Sequence, residues 1–281
     1  MNANYLAIKE ILNQADAVVL GAGSGLSTAA GFSYSGETFD RYFSYMRDKY
    51  GVNDMYSAGF APFEDEEEFW GYWAQFIYLE RYATGAMPLY LDLWKLVKDK
   101  NYFVLTTNVD HQFQKAGFSK SRLFYTQGDY GLFQSVDPHN KKTYDNKDWV
   151  LKAIKAIDPK THKIPSSIIP ICPDGGEKMT TNLRCDDNFV EDEGWHKAAR
   201  RYEAFLSAHS KGKVLYLELG VGYNTPGIIK YPFMRFTYQN KKATYITVSK
   251  DRSLIPDEIV SQTIAVQADL STFIETLLTL S

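Results

Sequence analysis

Short apolar runs alternate with longer amphipathic stretches along the chain, and this pattern predicts an orderly succession of strands and helices. Runs typical of buried strands occur at residues 16–20, 101–107, 123–126, 213–219, 243–248 and 264–267. Apolar positions at helical spacing predict helices at 4–14, through much of 37–95, at 194–209 and at 269–280. Strands that alternate with helices predict an α/β fold with a doubly wound, mostly parallel sheet.

One long segment departs from this alternation and predicts a smaller inserted module. Its prolines and glycines include Pro138, Pro159, Pro165, Pro170, Pro173 and the pair Gly175-Gly176. Because proline and glycine interrupt regular elements, we expect less regular structure there. We therefore predict a large Rossmann-like domain formed by residues 1–130 and 194–281, and a small module at residues 131–193.

Polar or glycine-rich groups follow four of the predicted strands, at residues 21–27, 107–110, 127–128 and 220–222. Ligands of open parallel sheets bind at the carboxyl ends of the strands, so these groups are expected to converge. Gly21, Gly23 and Gly25 suit a diphosphate, because glycine lets the backbone approach closely and the following helix offers N–H groups. A tight turn without a ligand explains the same glycines, and a P-loop is excluded because no Gly-Lys-Ser/Thr follows.

Asn108 and Asp110 stand two residues apart directly after an apolar strand. Alternate positions of an extended segment face the same side, so both side chains can face one cleft. An amide can hold a ribose hydroxyl or a water molecule, and a carboxylate can accept from an amide N–H. A turn or a helix cap explains this pair equally well.

Composition narrows the class of protein. The chain has 281 residues, a net charge of −3 and 15% aromatic residues, which favours a folded globular protein. This balance argues against nucleic-acid binding and against a polybasic membrane anchor. Since no stretch approaches the roughly 18–20 apolar residues of a membrane helix, we expect a cytoplasmic protein without membrane contact. The two cysteines, Cys172 and Cys185, are too few for a disulfide framework or a Cys₄ zinc site.

Taken as a set, several motifs resemble those of the sirtuins in order and spacing over nearly the whole chain. They are Gly21-Ala-Gly23, Ala30-Gly31-Phe32, Thr106-Thr-Asn-Val-Asp110, Ala116-Gly117, Gln127-Gly128, Cys172-Pro173, Gly220-Val-Gly222 and Gln267-Ala-Asp269. Where the sequence departs from the usual sirtuin motifs, it resembles the macrodomain-linked (class M) branch of the family. That branch is closer to protein ADP-ribosyltransferases than to deacylases. The resemblance implies a sirtuin-type Rossmann-like fold with NAD as co-substrate.

Gln127 is the most informative departure. Ordinary sirtuins carry a histidine here, the general base that deprotonates a ribose hydroxyl during deacylation. An amide does not titrate near neutral pH and cannot take that proton. Cleavage of the nicotinamide–ribose bond depends instead on positioning and electrostatics, because it passes through an oxocarbenium-like state. The resemblance therefore implies transfer of ADP-ribose from NAD rather than deacetylation.

Further departures concern the small module and the loop over nicotinamide. Sirtuins usually carry two C-x-x-C pairs, but Cys172 and Cys185 cannot complete a zinc site, so we predict no structural zinc. The usual Pro-Asp-Phe-Arg loop is replaced by residues 32–38, where Tyr34 or the following Phe39 would cover the nicotinamide. Thr107 and His111 stand where Gln and Gly are usual; His111 is interpreted as structural or exposed.

The resemblance assigns roles to residues of this sequence. The diphosphate and ribose would be bound by Gly21, Ala22, Gly23, Gly25, Leu26 and Ser27, and the adenosine half by Gly220, Val221, Gly222 and Ser249. Asn108 would position the nicotinamide ribose and Asp110 would recognise the carboxamide, with Thr107, Val109, Gln127 and Gly128 beside them. Independently, the guanidinium of Arg184 can bind a phosphate or the acceptor protein; a solvated arginine is the alternative.

Partners are implied by the resemblance alone. It implies a lipoylated glycine-cleavage H-like carrier protein as acceptor and a macrodomain hydrolase that reverses the modification. The same NAD-binding frame is also compatible with a lysine deacylase, a free NAD glycohydrolase, or an NAD-sensing module without catalysis. These alternatives differ in whether nicotinamide is released and in which molecule captures the ribose.

Overall fold

The computed structural model describes residues 3–280, and the chain divides into two compact units. Within this range, the large unit contains residues 3–31, 86–127 and 193–280, and the small unit contains residues 32–85 and 128–192. None of the helices in the described range has both the length and the apolar character needed to cross a membrane.

The strands are, in chain order, β1 (Ala17–Ala22), β2 (Tyr102–Thr106), β3 (Leu123–Tyr125), β4 (Gly128–Ser135), β5 (Thr143–Asp145), β6 (Met179–Leu183), β7 (Val214–Leu219), β8 (Thr244–Ser249) and β9 (Thr263–Gln267). The α-helices are α1 (Ala3–Gln14), α2 (Ser24–Ala30), α3 (Glu37–Tyr42), α4 (Ser44–Tyr50), α5 (Met55–Ala58), α6 (Glu66–Ile77), α7 (Pro88–Val97), α8 (Gln112–Lys115), α9 (Lys147–Ala156), α10 (Glu193–His209), α11 (Lys230–Gln239) and α12 (Leu270–Thr279). A π-helical segment, Tyr78–Ala83, continues α6, and short 3₁₀ turns occupy Lys120–Arg122, Ser166–Ile168 and Asp257–Gln262.

The large unit is built on a six-stranded sheet of order β3-β2-β1-β7-β8-β9, in which neighbouring strands are parallel. From β1 the chain proceeds outward through β2 and β3, then crosses to β7 on the other side of β1. This topology confirms the predicted doubly wound α/β fold, and its strands are the six that the apolar runs predicted. The change of direction between β1 and β7 creates the switch point at which such sheets bind ligands.

Helices cover both faces of this sheet, which is why its central strands are buried and largely apolar. On one face Leu20 and Val104 pack in a cluster with Phe273 of α12. On the other face Phe103 and Phe233 belong to a second cluster. Each large apolar side chain that is fully buried contributes about 1.5–3 kcal/mol. Every residue of β1 and of β7 is buried, as expected for a parallel strand covered on both sides.

The small unit contains an antiparallel sheet of order β5-β4-β6 with α6 and α9 packed together. Trp70, Phe133 and Trp149 form its aromatic centre, with ring centroids 4.9–5.2 Å apart. Cys172 is buried, Cys185 is exposed, and neither forms a disulfide. Across residues 3–280, no group of three or more His, Cys, Asp or Glu side chains is arranged to hold a metal ion. The absence of zinc stays a prediction.

The division into units differs from the sequence prediction for residues 32–85. The prediction placed this helical segment in the large domain, whereas the structure groups it with residues 128–192. The physical reason is the aromatic stripe of α6, since Trp70 is buried against Phe133 and Trp149 from the other half of the small unit. The second segment of the small unit begins at residue 128, where residue 131 was predicted, and ends at residue 192, where residue 193 was predicted.

Candidate functional site

The glycine-rich segment begins inside β1. This strand continues two residues beyond the predicted end, through Gly21 and Ala22. A Cβ on Gly21 would collide with the side chains of Ile229 and Phe233 in the core. The glycine at this position is therefore required by packing of the sheet against α11, and its absent side chain does not face a ligand.

Gly23 and Gly25 lie against Gly220, which follows β7 on the other side of the switch point. A Cβ on Gly23 would stand 2.7 Å from Gly220 O, and one on Gly25 would stand 2.8 Å from Gly220 Cα. Gly220 itself has a φ of 63°, a left-handed conformation that glycine adopts without strain. The two loops thus meet backbone to backbone and leave a floor free of side chains where a dinucleotide binds in this sheet topology.

The N–H groups of these glycines hold the two loops together. Gly23 N donates to Leu219 O at 3.1 Å, and Gly25 N donates to Gly220 O at 3.0 Å. The sequence analysis assigned these glycines to diphosphate binding, with their amides as donors. In the structure, both of these N–H groups already donate to backbone carbonyls. The polar side chains of this segment are those of Ser24, which is exposed at the start of α2, and Ser27, which is half-buried.

Asn108 is fixed just beyond the end of β2 and is only 9% exposed. Thr106 Oγ1 shapes the turn, since it donates to Ala22 O at 2.9 Å and accepts from Asn108 N at 3.0 Å. The Nδ2 atom of Asn108 donates to Gly23 O at 3.0 Å and to Tyr90 Oη at 3.2 Å. Both N–H bonds of this side-chain amide therefore point into the protein, and Oδ1 is the atom left for a ligand.

Asp110 is brought to the same cluster, as its spacing from Asn108 predicted. It is 6% exposed, and its Oδ2 atom accepts from Ser27 Oγ at 2.5 Å. Its Oδ1 atom accepts from Gln112 N at 3.0 Å. Ser27 Oγ also lies 2.9 Å from Tyr90 Oη. The Tyr90 hydroxyl thus contacts Asn108 and Ser27, and Ser27 links it to Asp110. Thr107 and Val109, the neighbours of Asn108 in the sequence, are half-buried.

Tyr90 is the member of this cluster that the sequence analysis did not identify. It lies on α7 among the buried residues Leu89, Leu93 and Val97, and is itself fully buried. A buried tyrosine hydroxyl nearly always needs a hydrogen-bond partner, and this was the available signal. The spacing of α7 does not reveal that the partners are Ser27 and Asn108, since they come from distant parts of the chain.

Gln127 follows β3, next to the end of β2. Its backbone is held by Thr126, whose N–H donates to Thr106 O at 3.0 Å and whose carbonyl accepts from Trp195 Nε1 at 3.2 Å. The Gln127 side chain is half-buried and donates from Nε2 to Thr126 Oγ1 at 3.4 Å, a long and weak hydrogen bond. An anchored backbone with a loosely held amide suits a residue that orients a bound group.

The adenosine half was assigned to the ends of β7 and β8. Gly220 N donates to Val248 O at 3.0 Å, and Ser249 Oγ accepts from Asp251 N at 3.2 Å in a local turn. Val221 is buried and Gly222 is exposed. These residues lie at adjacent strand ends, and the hydroxyl of Ser249 is partly committed to its own turn.

A fully buried ion pair supports this end of the sheet. Glu218 of β7 binds the ammonium group of Lys230, and both side chains are at most 1% exposed. Glu218 also accepts from Tyr245 Oη at 2.7 Å and from Thr247 Oγ1 at 2.8 Å. Burial raises the pKa of Tyr245 well above its usual range, so this hydroxyl keeps its proton and donates. The network ties β7 and β8 to α11.

Tyr34 and Phe39, the aromatic residues proposed to cover nicotinamide, both belong to the small unit. Phe39 is fully buried, so its ring is part of the core of that unit and is unavailable as a cover. The Tyr34 ring stacks on Tyr56 with centroids 6.4 Å apart, and its hydroxyl lies 3.0 Å from Tyr130 Oη. Tyr34 remains the candidate of the two.

Arg184 and Gly128 also belong to the small unit. Arg184 follows β6, pairs with Glu191, and places its guanidinium 4.3 Å from the ring centroid of Phe189. These contacts hold the guanidinium, but the Arg184 side chain is 36% exposed, so this arginine is both paired and solvated. Gly128 has a φ of 97°, and a Cβ there would collide with Asn182 O, so this glycine is required where β4 meets β6. Its presence is explained by the sheet.

Comparisons with known proteins show which family the chain resembles over most of its length. A Staphylococcus aureus protein named protein ADP-ribosyltransferase is 38% identical over 272 residues, which is 96% of this chain and 86% of that protein. A Fusarium oxysporum f. sp. cubense protein named probable bifunctional ADP-ribose hydrolase/ADP-ribosyltransferase is 34% identical over 233 residues, 80% of this chain and 38% of its own length. No family model matches the chain.

Solved sirtuin structures share the fold. Sir2 bound to an acetylated peptide superposes with a TM-score of 0.62 and 18% identity, covering 99% of this chain and 98% of that one. Sir2 with a p53 peptide and NAD⁺ gives a TM-score of 0.60 and 20% identity, with coverage of 99% and 98%. The extent of the similarity to the bacterial relative, together with this fold, shows that the chain belongs to the sirtuin-fold protein ADP-ribosyltransferases.

Proposed function

We propose that the protein transfers the ADP-ribosyl group of NAD to an acceptor protein and releases nicotinamide. The observation that carries the proposal is Gln127, an amide held beside the end of β2, where the sirtuin resemblance places a general-base histidine. An amide orients groups by hydrogen bonds and removes no proton at neutral pH. This favours cleavage of the nicotinamide–ribose bond over the deacylation cycle.

The large unit fits NAD as a substrate. Its sheet has the switch point typical of dinucleotide-binding folds, between β1 and β7. The floor at that point is made of Gly23, Gly25 and Gly220, and a Cβ on any of them would strike the opposite loop. Polar atoms that can bind a ribose and a carboxamide, in Asn108 and Asp110, lie beside this floor.

The chemistry asked of the site is the breaking of one bond and the making of another. The bond from the nicotinamide nitrogen to ribose C1′ breaks, its electron pair leaves with nicotinamide, and the ribose becomes oxocarbenium-like. Asn108 Oδ1, the negative end of a fixed amide dipole, suits this positive charge or a ribose hydroxyl. The Asp110 carboxylate can accept from the carboxamide N–H, and Gln127 orients the nucleophile of the acceptor that bonds to C1′. A nucleophile that carries a proton releases it to water, because the Gln127 amide cannot take it.

We further propose that the acceptor is a lipoylated carrier protein of the glycine-cleavage H-like type and that a macrodomain hydrolase removes the modification. The class M sirtuin resemblance supports both. The name of the Fusarium relative, which couples an ADP-ribose hydrolase to the transferase, supports the second.

A transfer assay tests the proposed function. The protein is incubated with NAD labelled in its adenylate phosphate and with the carrier protein in lipoylated and unlipoylated forms. We expect label on the lipoylated carrier and nicotinamide release in equal amount. Turnover of an acyl-lysine peptide, or nicotinamide release that is independent of any protein acceptor, would instead indicate a deacylase or a glycohydrolase.

A matched pair of variants shows whether the site described above is responsible. Asn108→Ala removes an amide that donates to a glycine carbonyl beside the floor. Asn240→Ala removes one that donates to Gly212 O at 2.9 Å, outside the candidate site. We expect loss of transfer by about 100-fold or more only for Asn108→Ala. Equal effects of the two substitutions would contradict the assignment of the site.

A further inference from the structure

A chain of side-chain hydrogen bonds links the candidate residues of the ribose and nicotinamide positions through Tyr90. Asn108 Nδ2 lies 3.2 Å from Tyr90 Oη, Tyr90 Oη lies 2.9 Å from Ser27 Oγ, and Ser27 Oγ lies 2.5 Å from Asp110 Oδ2. We propose that Tyr90 is a positioning residue that fixes the orientation of the Asn108 amide for cleavage of NAD. This inference rests on the proposed function.

The direction of every hydrogen bond in this chain follows from its two ends. Gly23 O can only accept, so the side-chain atom of Asn108 that faces it is Nδ2. Because Nδ2 can only donate, Tyr90 Oη accepts from it and has its own proton left to give. At the other end the Asp110 carboxylate accepts from Ser27 Oγ. The tyrosine proton therefore goes to Ser27, and all donors point from Asn108 toward Asp110.

This polarity determines what Asn108 offers to a ligand. With both Nδ2–H bonds donated inward, to Gly23 O and Tyr90 Oη, the amide cannot turn over without placing Oδ1 against two oxygens. Oδ1 is thus kept as the ligand-facing atom, an acceptor that suits a ribose hydroxyl or a developing positive charge. Hydrogen bonds aligned in one direction also polarise one another, which strengthens the preference.

The position of Tyr90 is itself fixed by packing. The residue is fully buried on α7, a helix that begins at Pro88, and its ring meets Phe113 edge to face with centroids 5.1 Å apart. Gln112, also fully buried, accepts from Met87 N at 2.9 Å just before that helix starts. A hydroxyl on a rigid ring in a packed core is a fixed reference point for the more exposed groups around it.

Tyr90→Phe tests the proposal because it removes one oxygen atom from this series of hydrogen bonds. We expect kcat for nicotinamide release to fall about 10–100-fold, with the KM for NAD changed by less than about threefold. If Tyr90 acts through Asn108, the double variant Tyr90→Phe/Asn108→Ala will be no slower than Asn108→Ala alone. Independent effects that multiply in the double variant, or a Tyr90→Phe kcat equal to that of the unaltered protein, would overturn the proposal.

Tyr102→Phe is the matched control. Tyr102 is 2% exposed in the same unit, and its hydroxyl accepts from Ser119 N at 3.2 Å, away from the strand ends that carry the site. Both substitutions remove one buried hydroxyl that holds a partner, so we expect comparable falls in melting temperature. A loss of kcat only in Tyr90→Phe separates positioning from general destabilisation; equal losses would show a merely structural role.

A second variant and a spectroscopic measurement keep the test independent of folding defects and of the proposed function. Ser27→Ala interrupts the same series of hydrogen bonds at the next residue and leaves Tyr90 in place. We expect the same fall in kcat. In nuclear magnetic resonance, the two Nδ2 protons of Asn108 should be protected from exchange, and one should lose protection in Tyr90→Phe. If the unaltered protein transfers no ADP-ribose, the proposed function fails, and unchanged protection in Tyr90→Phe then overturns the positioning role separately.

Discussion

At the scale of single residues, the glycines of β1 are explained by packing before any ligand is considered. Gly21 faces Ile229 and Phe233 in the core, so a side chain there would collide with a methyl group of Ile229 and with the ring of Phe233. From the sequence, Gly21 was assigned to the close approach of a diphosphate, and that assignment implies that a larger side chain would block NAD binding. In the structure, a side chain at position 21 would collide with residues in the interior of the large unit. A substitution there is therefore expected to lower stability rather than NAD binding.

We expect Gly21→Ala to lower the free energy of unfolding by about 1–3 kcal/mol, as overpacked core positions do. Folded protein should still bind NAD with nearly the affinity of the unaltered chain. Urea unfolding and calorimetric titration with NAD measure the two quantities. Gly227→Ala is the control, because no atom lies within 4 Å of its added Cβ, and we expect a change below about 1 kcal/mol. Normal stability with abolished NAD binding in Gly21→Ala would show that this reasoning is wrong.

Gln127 makes a second prediction at this scale, which concerns pH. Its amide does not titrate, so in the unaltered protein residue 127 should cause no rise or fall of the transfer rate with pH. Gln127→His should introduce such a change near pH 6.5, the ordinary pKa of an imidazole. Rates of nicotinamide release from pH 5 to pH 9 provide the measurement, with Gln127→Ala as the untitratable control. Identical profiles for the His and Ala variants would remove Gln127 from the site.

At the scale of elements, the buried strands were the most predictable part of the fold. A parallel strand covered by helices on both faces is buried at every position, so β1, β2 and β7 are visible as largely apolar runs, with Glu218 as the charged exception in β7. The end of β1 was less predictable, because Gly21 and Ala22 carry no signal that distinguishes a strand from a loop. The antiparallel β4 was not predicted, since its residues mix glycine, acidic and aromatic side chains without a clear period.

The amino-terminal end of α12 provides a prediction about pH and stability. Asp269 caps this helix by accepting from Thr272 N at 3.3 Å and Ser271 N at 2.9 Å. These hydrogen bonds, that from Thr272 first, hold the pKa of the Asp269 carboxyl below its ordinary value of 3.8. Since the pKa is lower in the folded state, the carboxylate stabilises the folded protein at pH values above its ordinary pKa. This contribution to stability is lost as the pH falls through the folded pKa.

Asp269→Asn keeps an oxygen that can cap α12 but removes the charge. We expect it to be less stable than the unaltered protein by about 0.5 kcal/mol at pH 7, a small value because the Asp269 side chain is 41% exposed. The difference should narrow as the pH is lowered from 7 toward 3, as followed by urea unfolding. Asp269→Ala, which loses the cap as well, should cost about 1 kcal/mol at pH 7, and this difference should narrow in the same way as the pH falls. A difference that widens at low pH would contradict the assigned sign.

At the scale of the whole molecule, the strands of the large sheet could be predicted from the sequence, but the elements against which the helices pack could not. Asn108 and Asp110 could be predicted as candidates because they follow an apolar strand. Tyr90 could not, because its two partners are determined by how α7 packs on the sheet. The same limit affected residues 32–85, whose aromatic side chains had to be buried but gave no indication against which unit. Periodicity identifies the buried face of an element and leaves its tertiary partner undetermined.

The aromatic centre of the small unit leads to the last prediction, that its stability needs no metal ion. Trp70, Phe133 and Trp149 fill the space between α6, α9 and β4, whereas Cys172 Sγ lies 3.4 Å from Tyr144 Oη and Cys185 is exposed. Chelation with phenanthroline should therefore leave the melting temperature within about 1 °C. Trp70→Ala, which removes a side chain only 2% exposed and costs about 3–5 kcal/mol, should lower it by roughly 6 °C or more. Elemental analysis of the purified protein completes the measurement. Stoichiometric zinc together with a lower melting temperature after chelation would show that packing is insufficient, and that the two cysteines find metal-binding partners which their spacing does not suggest.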